Sequence, residues 1–339
     1  MIEITAKGLI LAAPFVVILV FWGMALRERR LSGHPGERGF FARNGIVIST
    51  YLLVAVGFWA LLLIVLPQIY MIDFSFHPKL LPREVGGPKD VYTLENYRYF
   101  LYGSTTSTEN WNTTHIKAFW TTIVASIGVT FLNFCLCYPL AFYMAQSARP
   151  AQLRLVLLML ITPFWVNEIL RAFAFRVLLS SGGVINTGLM ALGITSAPID
   201  FLGNDVGLYA GLSYAYLLMM MFPLYNAIES LDHNQIEAAR DLGAPWWHIH
   251  AFVVMPHAKP GIASGCTMVF MLSAGALAAP MVLGGPSSLW FTPIVFDRFY
   301  QAFNWPQGSA YAIILLLSCI AFVLAVMRVF KVSLGEITR

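Results

Sequence analysis

Residues 236–256 read Ile-Glu-Ala-Ala-Arg-Asp-Leu-Gly-Ala-Pro-Trp-Trp-His-Ile-His-Ala-Phe-Val-Val-Met-Pro. This polar, helix-forming stretch lies between two long apolar segments. Asp232 and Gln235 have the spacing of a capping box, so a helix can start near His233 and run through Glu237, Ala238, Ala239 and Arg240. Gly243 suits the left-handed stop of that helix. Pro245 suits the start of a second short helix through Trp246, Trp247 and Phe252. Pro256 and Pro260 close the loop before the next apolar run. The expected element is a helix–turn–helix lying along a membrane surface. The two tryptophans serve either as interfacial anchors or as part of a docking face.

The apolar segments around it set the fold class. The chain of 339 residues is 58% hydrophobic and only 11% charged, whereas soluble domains carry about 25% charged residues. Most of this chain has lipid as its solvent. A spanning helix needs about 20 mostly apolar residues. Seven such segments are legible, at 8–26, 46–70, 117–145, 155–178, 206–228, 262–283 and 308–328. The expected fold is therefore an all-α integral membrane protein with about seven transmembrane helices. Residues 1–45 are an extra N-terminal helix with a basic loop. Residues 46–116 hold a helix and a long polar loop, and residues 117–339 form the core, which contains the cytoplasmic loop 229–256.

Orientation follows from the positive charges. Arg27, Arg29 and Arg30 come directly after the first span and only Lys7 before it, with no small-residue cleavage site. That pattern favours a retained helix with its N-terminus outside over a signal peptide. Twelve Lys and Arg residues then fall in inner segments and six in outer ones, four of the six in one long loop where the rule is weak. Loop 229–260 and the C-terminus land in the cytoplasm. The net charge of +4 is topology signal rather than a nucleic-acid patch. Cys135, Cys137, Cys266 and Cys319 all sit in apolar segments, with no disulfide or zinc spacing. The run Met219-Met220-Met221 is adaptable packing rather than a metal site.

The loop also resembles a known motif. Glu237-Ala238-Ala239, three residues, Gly243, nine residues, Val253, one residue, Met255-Pro256 matches the Glu-Ala-Ala loop of permease subunits of bacterial ABC importers, with Val and Met in place of Ile and Leu. Tyr138-Pro139-Leu140-Ala141, Pro163-Phe164-Trp165 followed by Glu168 and Arg171, and Asn304-Trp305-Pro306-Gln307-Gly308-Ser309 resemble phrases of the spermidine/putrescine branch of type I importers. Thr93-Leu94-Glu95-Asn96-Tyr97 is similar to a phrase ahead of the core helices. The resemblance implies a bacterial inner-membrane subunit that pairs with a second, homologous permease, with ABC ATPase subunits and with an extracytoplasmic solute-binding protein. It implies that Glu237, Ala238, Ala239, Arg240, Asp241, Gly243 and Pro256 couple this chain to the ATPase. ATP and Mg would be bound by the partners, with no cofactor and no enzyme activity in this chain. The absence of a Gly-x-x-x-x-Gly-Lys-Ser/Thr phosphate loop agrees with that division of labour.

Glu168, Arg171 and Arg176 are charges inside one predicted span, and intramembrane charges face a pathway or a partner. Glu168 and Arg171 are three apart and can either pair with each other or meet a solute. With Trp165 they are the candidate pathway residues, and Phe164, Phe173 and Phe175 lie nearby. Carboxylates and aromatic faces suit a polyamine. The two arginines leave room for another small polar solute, such as an amino-acid derivative or opine. A standalone secondary transporter or a seven-helix receptor would leave the Glu-Ala-Ala spacing unexplained.

Overall fold

The computed structural model describes residue 23 and residues 46–81, 83–84, 86–104, 110–285 and 288–332. The expected first span, 8–26, and the basic loop after it lie outside the described residues, apart from Gly23. All regular structure among the described residues is helical. The chain divides into two compact units, Met1–Thr93 and Leu94–Arg339.

In the first unit, α1 (Ile46–Ala60) continues through a π turn (Leu61–Val65) into α2 (Leu66–Ser75). Pro67 explains the widened turn. It lacks the N–H that would close an α turn, and Leu66 N–H instead reaches back to the Leu61 carbonyl. Leu63, Ile64 and Ile69 on this helix are exposed, as suits a surface that meets lipid. The loop beyond it is pinned at Asp90. Its carboxylate accepts from Gly86 N–H at 2.8 Å and meets His77 Nδ1 at 2.6 Å. The amide bond first, and then the histidine, hold that carboxyl below its ordinary value.

The second unit begins with α3 (Glu95–Tyr102), α4 (Thr113–Gln146) and α5 (Pro150–Ile161). A 3₁₀ turn (Thr162–Trp165) leads to α6 (Glu168–Leu179) and α7 (Val184–Ala191). Next come α8 (Val206–Glu229), α9 (His233–Asp241) and α10 (Trp246–Ile249). A π turn (His250–Val254) and α11 (Met255–His257) precede α12 (Lys259–Ala274). The chain ends in α13 (Ala278–Leu283), α14 (Phe291–Tyr300) and α15 (Trp305–Phe330). Residues 94–116, grouped above with the second span, belong to this unit. Phe100 of α3 packs edge-on against Phe291 at 5.8 Å and Tyr311 at 5.5 Å, in a core shared with Phe270.

Ile48–Ser75, Thr113–Gln146, Val206–Glu229 and Trp305–Phe330 are each long and apolar enough to cross a membrane. They correspond to the expected spans at 46–70, 117–145, 206–228 and 308–328. Two other expected spans are interrupted. Segment 262–283 is α12, stopped at Gly275, and then short α13. Segment 155–178 is not one helix: Pro150–Trp165 and Glu168–Ala191 meet at 97°. Local chemistry accounts for the break. Pro163 falls in the 3₁₀ turn, Val166 and Asn167 take extended backbone, and Asn167 Oδ1 caps α6 by accepting from Ile169 N–H at 2.9 Å.

The centre of the unit is α4, α8 and α12. Between helices in lipid there is little hydrophobic driving force, so close van der Waals contact must hold them. Gly261 and Gly265 supply it, a small-xxx-small pair on α12. A Cβ at Gly261 would meet the Pro223 carbonyl and stand 2.5 Å from Ala227 Cβ. A Cβ at Gly265 would stand 2.7 Å from Met220 Sδ. Cys137 Sγ of α4 reaches the Leu217 carbonyl of α8 at 3.6 Å. All four cysteines are free, and Met220 and Met221 are buried packing residues. Gly261→Leu should lower the thermal stability of the purified protein by about 1–3 kcal/mol or more, because backbone cannot yield to the new side chain. Gly128→Ala, where a Cβ meets nothing within 4 Å, should be neutral or stabilising. Equal melting behaviour of the two variants would remove the close-approach argument.

Candidate functional site

Loop 229–258 has one buried face and one exposed face. Asp232 Oδ1 caps α9 by accepting from Asn234 N–H at 3.0 Å. The helix ends as its sequence predicts. Gly243 takes φ +78°, its N–H donates to the Arg240 carbonyl at 2.9 Å, and Ala244 N–H donates to the Ala239 carbonyl at 3.1 Å. This pair of bonds is the left-handed Schellman stop that favours glycine. Pro245 caps α10 rather than occupying its first turn. Pro256 cannot close an α turn, and the preceding residues widen into a π turn in which Met255 N–H bonds the His250 carbonyl.

The buried face carries Ile236, Ile249, Val254 and Ala258, which share one core with Leu224 and Ile228 of α8 and Met144 of α4. Polar contacts fix the position. Gln146, the last residue of α4, donates through Nε2 to the carbonyls of Ile228 at 2.9 Å and Leu231 at 3.2 Å. Its Oε1 lies 3.0 Å from His233 Nδ1. His250 is buried, with Nδ1 2.8 Å from the Tyr138 hydroxyl and its ring 4.4 Å from both Phe142 and Trp246. His257 Nε2 lies 3.0 Å from Ser230 Oγ. Sequence reasoning did not single out Gln146 or His250, because their partners lie 82 to 112 residues away.

The exposed face carries Glu237, Ala238, Arg240, Asp241 and Gly243, with Pro256 nearby and Ala239 half-buried. Glu237 lies 3.4 Å from His233. Leu242, Trp246, Trp247 and Phe252 stand exposed beside them. Together they form an exposed apolar patch flanked by charges of both signs.

A second site lies at the broken span. Glu168, Arg171 and Phe175 of α6, with Gly211 and Tyr214 of α8, line a small, partly open cavity. Glu168 does not rely on Arg171. Its Oε1 accepts from the Tyr216 hydroxyl at 3.0 Å, and its place in the first turn of α6 is favourable for a negative charge. The Arg171 guanidinium lies over the rings of Phe164 at 5.2 Å and Tyr214 at 5.9 Å. Trp165, expected one turn from Glu168, is 86% exposed and does not line the cavity, because the helix breaks between them. Phe173 is exposed as well. Arg176 donates to the Val282 carbonyl at 2.7 Å and so ties α6 to α13.

Burial pushes the His250 imidazole below its ordinary value. Below about pH 6.5 the unfolded chain therefore binds a proton that the folded chain resists. Stability should fall as pH drops from about 6.5 toward the folded value. His250→Asn should flatten this part of the profile of melting temperature against pH. An unchanged profile would place the titrating group elsewhere.

Residues 130–332 match the family of binding-protein-dependent transport system inner membrane components. The chain is 32% identical over 255 residues to the spermidine/putrescine transport system permease protein PotB of Haemophilus influenzae, covering 75% of this chain and 84% of that protein. It is 30% identical over 267 residues to the PotB of Escherichia coli K12, covering 78% and 91%. A bacterial alginate ABC transporter, solved with an alginate-bound periplasmic protein, contains a chain that superposes with TM-score 0.66 at 16% identity, covering 88% of this chain and 100% of that one. This last likeness bears on the fold alone. With a family match over most of its core and such identity along most of its length, the chain belongs to the inner membrane components of binding-protein-dependent transport systems.

Proposed function

We propose that this chain forms half of the solute pathway of an ATP-driven polyamine importer and takes its drive from a separate ATPase through loop 229–258. The solute reading is supported by the names of relatives aligned along most of the chain. Its chemistry is the cavity at the broken span, where one carboxylate stands among aromatic rings. An ammonium group needs that combination. Non-helical backbone at membrane depth is tolerated where it lines a cavity or is covered by protein, and Val166–Asn167 provides such a stretch beside Glu168.

The drive reading rests on how the loop is seated. Its exposed face, Glu237 to Asp241 with Leu242 and the two tryptophans, is where the ATPase docks. Its buried face is continuous with α4 and α8, so displacement of the loop moves those helices. ATP and Mg belong to the ATPase. A second permease of the same family completes the pathway, and a solute-binding protein delivers solute from the outer side. The charge distribution supports a cytoplasmic loop and C-terminus and an outer N-terminus.

In the complex reconstituted in lipid with its ATPase, sister permease and binding protein, spermidine or putrescine should stimulate ATP hydrolysis. Basal hydrolysis without polyamine stimulation would retain the importer and remove the polyamine. Gly243→Pro or Glu237→Lys should abolish uptake while membrane insertion persists, and normal uptake in both would count against docking at this face. Glu168→Gln should raise the half-saturating polyamine concentration about tenfold, the order expected from one lost charged hydrogen bond of about 1.5 kcal/mol. Unchanged half-saturation with lower stability would confine Glu168 to its bond with Tyr216.

A further inference from the structure

The Arg171 guanidinium is an unusual occupant of its site. It is a full positive charge at a helix break within the apolar region, and such charges are rare unless paired. Yet the nearest acidic group on its own helix, Glu168, is held by the Tyr216 hydroxyl. Arg171 Nε is buried and has no hydrogen-bond partner. What holds the guanidinium is aromatic: it lies over Phe164 from the 3₁₀ turn and Tyr214 from α8. The same cavity is lined by the Glu168 side chain and Phe175. Phe175 packs on Tyr214 with ring centroids 5.0 Å apart.

Two aromatic faces and a carboxylate are the recognition chemistry for an organic cation. Here the chain's own cation sits on those faces. We propose that Arg171 is a tethered resident cation. It occupies the aromatic cage in this state and must leave when a solute ammonium group enters. The inference rests on the polyamine reading for the identity of the competing solute, but not for the existence of the cage.

The physical consequence is competitive. A solute binds only the fraction of molecules in which the cage is free, so its apparent affinity is reduced by that fraction. The tether also gives the site a defined alternative state. With the arginine on the rings, α6 and α8 are bridged through Phe164, Arg171 and Tyr214. With the arginine displaced, that bridge is lost, and Glu168–Tyr216 and Phe175–Tyr214 remain as the side-chain contacts between the two helices there. A cationic solute would thus exchange one cation–aromatic contact for another instead of creating one, and cation entry would be linked to loosening of the helix pair. This linkage supplies what population shift requires, a ligand that binds one state better than the other.

The test uses the full complex in lipid or detergent. Arg171→Ala should lower its melting temperature, and millimolar ethylguanidinium or propylammonium should restore part of that loss without affecting the wild type. Removing the rings in the same background, Phe164→Leu with Tyr214→Leu, should abolish the rescue. In the polyamine-stimulated ATPase assay, Arg171→Ala should reduce the half-saturating concentration, by about fivefold for a cage that is free in about one molecule in five. Arg171→Gln is the second variant should the alanine protein fail to assemble. Absence of rescue by either small cation, or rescue that persists without the rings, overturns the proposal whatever the solute. Rescue with unchanged half-saturation, in a complex that responds to polyamine, overturns the competition. Rescue in a complex whose wild type ignores polyamine supports the cage and removes the polyamine instead.

Discussion

Everything in the second unit depends on how closely α12 approaches α8. At Gly261 the α12 backbone lies against the Pro223 carbonyl, and at Gly265 against Met220. In lipid, the reward for such an approach is dispersion between well-fitted surfaces, and a single side chain at either glycine would forfeit it. The contact also sets register. With α12 locked at residues 220–227 of α8, the loop joining the two helices has fixed ends on one side of the bundle. α4 completes the packing through Cys137 at Leu217 and Gln146 at Ile228. These two contacts, nine residues apart on α4 and eleven on α8, show the helices running parallel in matched register.

The loop inherits its rigidity from that arrangement. Its helices are too short to be stable alone in water. They persist because Ile236, Ile249 and Val254 are buried in the bundle's own core. The glycine stop and the proline-induced π turn direct the chain so that the apolar face turns inward while Glu237 to Asp241 stay exposed. His250 of the loop then meets Tyr138 of α4, and Gln146 of α4 meets Leu231 and His233 of the loop. A force applied to the exposed face reaches α4 and α8 through direct packing, with no flexible link between. The same burial that stabilises the loop seats it directly against α4 and α8.

Much of this was legible in the sequence because its causes are local. Glycine after a polar helix, proline before the next turn, and 20-residue apolar runs each act within a few neighbours, and the loop and four spans lie where those signals put them. The broken span carried its signal too, in Pro163 and Asn167, but hydropathy outweighed both, since each half is apolar and only their relation differs. The contacts that define the cavity were not legible. Tyr214 and Tyr216 meet Arg171 and Glu168 across more than 40 residues of sequence, and nothing local marks a tyrosine in an apolar helix as the partner of a distant charge. The spacing of Glu168 and Arg171 pointed to a pair, yet a helix N-terminus and a hydroxyl suit the carboxylate, and two rings suit the guanidinium. The Gly261–Gly265 pair was visible as a pattern but acquires meaning only from the helix it faces.

The costs in this fold are concentrated. Irregular backbone in an apolar region leaves carbonyls and amides in want of partners. A carboxylate and a guanidinium in the same region must each be compensated. A sequence selected only for stability would separate these costs or delete them, for instance by continuing the helix through 166–167 and placing leucines at 168 and 171. Here all of them fall within residues 163–171, and both charged side chains line one cavity. Local rules broken together at one place are the pattern expected where polar groups serve something other than the fold. The glycine-packed bundle provides the stability against which that site is maintained. On the proposed function α8 links this site to the loop, because it carries Tyr214 and Tyr216 near its middle and joins the loop at its C-terminal end.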